Sequence, residues 1–157
     1  NTLVPEQRKF AEVKKGYTAF KKGDLLWAKI SPCMQNGKSC ITDQIATDIG
    51  FGSTEFHVIR KKENSPVEIY MPYIWAMLSN DAVLDIAQAV FNGSAGQQRV
   101  SDAFLKNFPA ILPEYEQQVK IATELFDKRD KLLEARKKAE QEWQVAKEQF
   151  ERELLGD

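Results

Sequence analysis

Short apolar runs bounded by turn residues mark the first sixty positions as strand-forming. Gly23-Asp24 opens into Leu25-Leu26-Trp27-Ala28-Lys29-Ile30, the pattern of a turn followed by a buried strand. Residues 31–39 hold Pro32 and the Asn36-Gly37 pair, which predicts a loop. Residues 40–46 are expected to return as a strand and complete a hairpin. Gly50-Phe51-Gly52-Ser53 reads as a further turn, and residues 54–60 alternate well enough for a strand. After Pro66 the period lengthens. Ile69, Tyr73, Ala76 and Met77 share one helical face, as do Val83, Ile86, Ala87 and Val90 in a second helix over 81–91. Asn92-Gly93-Ser94-Ala95-Gly96 ends that helix. A short helix at 101–106 and an apolar strand near 108–112 follow. Residues 1–113 therefore predict one small mixed domain of the α+β class.

The pattern changes at Glu114. Between Pro113 and Gly156 there is no Gly or Pro, and Glu, Lys, Gln, Arg, Ala and Leu dominate, all good helix formers. Pro113 stands where helices commonly begin, and Glu114 and Glu116 suit the positive end of the dipole. Ala122, Leu125, Arg129, Leu132, Arg136, Ala139, Trp143, Ala146 and Phe150 recur by three and four, a coiled-coil heptad. A helix over 114–155 is about 63 Å long at 1.5 Å per residue. That is twice the width of a small domain, so most of its apolar seam is expected to need another helix. Arg129 and Arg136 interrupt the seam, and are expected to snorkel or to meet acids on a partner. The expected organisation is a head at 1–113 and a long spacer or dimerisation helix at 114–157.

Charge separates the two parts further. The whole chain of 157 residues carries a net charge of −1. Residues 1–60 hold nine Lys/Arg against six Asp/Glu, and residues 114–157 hold nine against twelve. A mildly basic front and an acidic tail suit different partners, although chance variation in surface charge gives the same numbers. No apolar stretch approaches the roughly 20 residues of a membrane helix, and no signal peptide is expected from the opening residues. Cys33 and Cys40 match no CxxC spacing and read as reduced thiols of a cytoplasmic protein. A disulfide between them is the less favoured alternative.

Enzyme signatures are missing. Gly37-Lys38-Ser39 is like the end of a phosphate-binding loop. Pro32 stands where that motif needs its first glycine, and a strand is expected where it needs a helix. His57 is the single histidine, and in Phe56-His57-Val58 it reads as a packed or surface residue. No triad, metal set or dinucleotide fingerprint is expected, and hence no cofactor.

The polar loops carry the remaining chemistry. Lys29, Gln35, Asn36, Lys38 and Ser39 cluster on or beside the first loop, Ser53, Thr54 and Glu55 follow the Gly50–Gly52 run, and Ser94, Gln97, Gln98 and Arg99 lie between Gly93 and Val100. Gln and Asn can pair both edge groups of adenine, Arg and Lys can contact guanine, and Glu can accept from cytosine. Lys and Ser also suit phosphates. The alternative is that these loops are polar because loops face water, and that Gly93 and Gly96 serve only a tight turn.

Four blocks resemble the specificity subunits of type I restriction-modification systems. Residues 23–38, from Gly23-Asp24 through Ala28-Lys29-Ile30 and Pro32-Cys33 to Asn36-Gly37-Lys38, are similar to one family block. Gly50-Phe51-Gly52-Ser53-Thr54-Glu55-Phe56-His57-Val58 resembles a second, and Gly93-Ser94-Ala95-Gly96-Gln97-Gln98-Arg99-Val100 a third. Leu112-Pro113, Glu116-Gln117 and Ile121-Ala122 resemble the start of the family's helix, except that Glu114-Tyr115 replaces a Pro-Leu pair. The resemblance implies a non-catalytic DNA target-recognition domain with a spacer helix. Such subunits carry two recognition domains whose helices pack antiparallel, and they act with methyltransferase and motor-nuclease subunits. One domain and one helix are expected here, as a fragment or as a half-subunit that pairs with itself and reads a palindromic bipartite site. A coiled-coil interaction module without DNA binding is the rival expectation.

Overall fold

The Gly23-Asp24 turn delivers the chain into a strand buried on both faces. In the computed structural model, which describes residues 4–94 and 97–156, the elements follow in chain order. They are α1 (Phe10–Val13), β1 (Thr18–Lys21), β2 (Leu25–Ala28), β3 (Ser39–Ile41), β4 (Ile49–Gly52) and β5 (Phe56–Ile59), then α2 (Met71–Leu78), α3 (Asp81–Ala89), α4 (Asp102–Asn107) and α5 (Tyr115–Leu155). The class is α+β. One compact unit reaches Val119 and a second runs from Lys120. Among the described residues no helix is long and apolar enough to cross a membrane.

Strand β2 is the centre of a three-stranded antiparallel sheet in the order β3-β2-β5. Successive side chains on a strand point to opposite faces, so its residues serve two cores. Leu25 and Trp27 join Met34, Leu78, Leu84, Ala87 and Val100. Leu26 joins Phe20 and Ile45 on the other side. Two indoles pin α2 to this sheet: Trp27 Nε1 donates to Leu78 O at 3.1 Å, and Trp75 Nε1 donates to Ser39 Oγ at 2.8 Å.

The Gly-Asp turn explains itself. Gly23 has φ +86°, a conformation that suits glycine. Asp24 is 2% exposed, and its carboxylate accepts from Arg60 Nε at 2.7 Å, Arg60 Nη2 at 2.6 Å and the Lys21 backbone N–H at 2.6 Å. Three charge-assisted bonds satisfy a carboxylate that burial otherwise penalises. Gln118, in the first turn of α5, is fully buried. Its Oε1 accepts from the Tyr70 N–H at 3.0 Å, and its Nε2 donates to Glu68 O at 3.0 Å and Pro113 O at 2.8 Å.

Four expectations need correction. Residues 50–52 are not a turn but belong to β4, which pairs antiparallel with β1 in a separate two-stranded sheet. The strand expected over 40–46 is confined to 39–41. The buried face of α3 is Leu84 and Ala87, whereas Ile86 and Val90 are exposed. Residues 108–112 are not a strand, and Ile111 is exposed.

Candidate nucleic-acid interface

Three loops far apart in sequence are laced together where β2 ends. The Lys29 N–H donates to Glu55 O at 3.0 Å, and the Ser31 N–H donates to Gln98 O at 2.9 Å. The Val100 N–H returns to Lys29 O at 2.9 Å. Ile30 and Arg99 form an isolated antiparallel bridge, as do Asn92 and Arg99. Segment 29–31 thus lies between 53–55 and 97–100. Gly93 permits this closure: its φ is +113°, and a Cβ there would meet Gln97 O at 2.9 Å. Gly96 lies outside the described residues.

Side chains reinforce the ledge. Arg99 donates from Nε and Nη2 to both oxygens of Glu55, at 2.8 Å and 2.9 Å, and from Nη1 to Gln97 O at 2.8 Å. The Arg99 hydrogen bonds hold the Glu55 carboxyl below the usual carboxylate range, and the same pairing raises the guanidinium's affinity for its proton. His57 stacks on Trp27 and meets Val100 O at 2.9 Å. Burial lowers its pKa despite that hydrogen bond.

The twelve expected contact residues divide by exposure. Asn36, Lys38, Ser53, Thr54, Ser94 and Gln97 are exposed, and Lys29, Gln35, Glu55, Gln98 and Arg99 are partly so. Ser39 is 3% exposed. Its hydroxyl bonds Gly37 O and the Ser79 hydroxyl and accepts from Trp75, so it is engaged in holding the hairpin. Gln35 Nε2 donates to Ser31 Oγ at 3.1 Å. Lys38 lines an open cleft with Phe20, Ile45 and the segment around Phe10. The sequence reading passes over Ser31 and Asn92, whose backbones tie the loops, because main-chain bonds leave no residue-type signal.

The heptad residues are borne by α5. Ala122 is fully buried, so the exposed stripe begins at Leu125. It continues through Leu132, Ala139, Trp143, Ala146 and Phe150, all exposed. Arg129 bonds the Asp130 carboxylate at 3.0 Å and 2.7 Å and lies 4.7 Å over the Phe126 ring. It is therefore engaged on its own helix.

Comparison with known proteins places this sequence in a family. The family model described as the type I restriction modification DNA specificity domain matches residues 4–142. The chain is 38% identical over 116 residues to the type I restriction enzyme EcoEI specificity subunit of Escherichia coli, covering 74% of this chain and 19% of that protein. It is 37% identical over 116 residues to the EcoAI specificity subunit of the same organism, with the same coverage. The matched region is thus about a fifth of the length of these relatives. No solved structure matches. By the family model, which matches most of its length, the chain belongs to the type I restriction modification DNA specificity domain family.

Proposed function

We propose that this chain recognises a DNA sequence through the ledge formed by its 29–38 and 53–55 loops with residues 92–94 and 97–99, and that it has no catalytic role. The observation that carries the reading is the lacing of three polar loops onto the end of one buried strand. Rigid placement lowers the ordering cost of each contact, and the side chains there match base-edge and phosphate chemistry. Asn36, Lys38, Ser53, Thr54, Ser94 and Gln97 are the outermost members, with Lys29, Gln35, Glu55, Gln98 and Arg99 behind them. The exposed stripe of α5 is assigned to pairing with a second helix, from a second copy of this chain or a second recognition domain. Methyltransferase and motor-nuclease subunits would then act where the ledge directs them.

Alanine substitution of Gln35, Asn36, Lys38, Gln97 and Arg99, one at a time, tests the assignment in the complex with the methyltransferase subunit. Loss of sequence preference is expected in at least one variant, with low-salt binding to random duplexes retained. Unchanged sequence preference in all five would remove the ledge from DNA recognition.

A further inference from the structure

Arg99 is held in a way that selects among the things an arginine can bind. Its planar guanidinium carries five N–H groups. Three are engaged, two by Glu55 and one by Gln97 O. Two remain, one on each terminal nitrogen, without a partner among the described residues. The side chain is 38% exposed, so these donors are within reach of a ligand.

We propose that Arg99 reads a guanine in the target, donating from its two terminal nitrogens to O6 and N7 at the major-groove edge, with Glu55 as its positioning residue. This deepens the DNA-recognition reading and rests on it. The Glu55 carboxylate decides between base and phosphate. It cancels the guanidinium charge that would draw a phosphate, and it repels the anion directly. It leaves the N–H donors intact, and neutral acceptors such as O6 and N7 suit a neutralised donor pair. Adenine fits poorly, because its N6 amino group would face a donor. Two bonds to Glu55 and one to Gln97 O also fix the fork before DNA arrives, so little side-chain freedom is lost on binding.

The test uses the duplex that the chain, assembled with its methyltransferase subunit, selects from a random pool. Each guanine is replaced in turn by 7-deazaguanine, which lacks the N7 acceptor. At one guanine the replacement is expected to weaken binding by the wild-type protein about tenfold. The same replacement should have no effect on Arg99→Ala, and a reduced effect on Glu55→Gln. Preference at the other positions should persist in Arg99→Lys. A selected site in which no 7-deazaguanine weakens wild-type binding overturns the proposal without reference to any variant's folding. An equal 7-deazaguanine penalty in wild-type and Arg99→Ala overturns it as well, and both leave DNA recognition standing. Selection of no site at all overturns both readings together.

Discussion

The ring of Phe20 lies so close to Gly50 that a Cβ there would sit 2.4 Å from its Cε2 and Cζ atoms. Gly52, at 3.2 Å, flanks the same ring. The two glycines of β4 therefore form a shallow bed for an aromatic side chain of β1 that is itself 5% exposed. Glycine within a strand marks close approach. Gly50→Ala should destabilise the domain by about 2 kcal/mol, the usual range for overpacking. Part of that loss should return when Phe20→Leu is added. Urea unfolding of the two variants measures both effects, and full stability in Gly50→Ala would mean that the ring has room to move.

The same contact shows why β4 is illegible in the sequence. Gly50-Phe51-Gly52-Ser53 carries local turn chemistry, while its partner Thr18–Lys21 lies about thirty residues upstream with a single buried position. A pairing set by one distant ring has no local signature. The β2–β3 hairpin is legible because Leu25-Leu26-Trp27-Ala28 and Asn36-Gly37 are local signals. The face of α3 is misread because Leu84 and Ala87 compete with Ile86 and Val90 at nearly the same spacing. For the site, the polarity of the three loops is visible in the residues. The Glu55–Arg99 pairing, across forty-four positions, and the capture of Ser39 by Trp75 are products of tertiary folding.

Asp24 organises the turn before β2 and reaches β5 through Arg60. Removing it as Asp24→Ala leaves the Lys21 N–H without its partner and frees Arg60, which is 46% exposed and can hydrate. The expected cost is therefore about 2 kcal/mol, below that of breaking a fully buried pair. Thermal denaturation should show it, and Asp24→Asn should lose less. Equal stability of Asp24→Ala and wild type would contradict this role.

His57 should make stability depend on mild acid. Burial holds its pKa below the ordinary value near 6.5, so the unfolded chain takes up the proton first. The neutral form's contribution is complete above the unfolded value and is lost as pH falls through the lowered folded value. His57 is the only histidine, which simplifies the window between about pH 7.5 and about pH 5. The melting temperature should fall across that interval in the wild type, and much less in His57→Gln. Parallel curves for the two proteins would take His57 out of the account.

Gln118 satisfies three backbone groups of residues 68, 70 and 113 from one buried amide. Gln118→Leu keeps the volume and orphans all three. The expected loss is about 3 kcal/mol, together with faster amide exchange at Tyr70. Unaltered protection at that amide would show that the three groups find other partners.

Amide exchange also tests the proposed division between the three laced loops and the long helix. The complex should be compared free and bound to the duplex it selects. DNA should slow exchange or shift side-chain environments at 29–38, 53–55 and 97–99, and leave 125–155 unchanged. Changes confined to 125–155, with the three loops unaffected, would contradict the account.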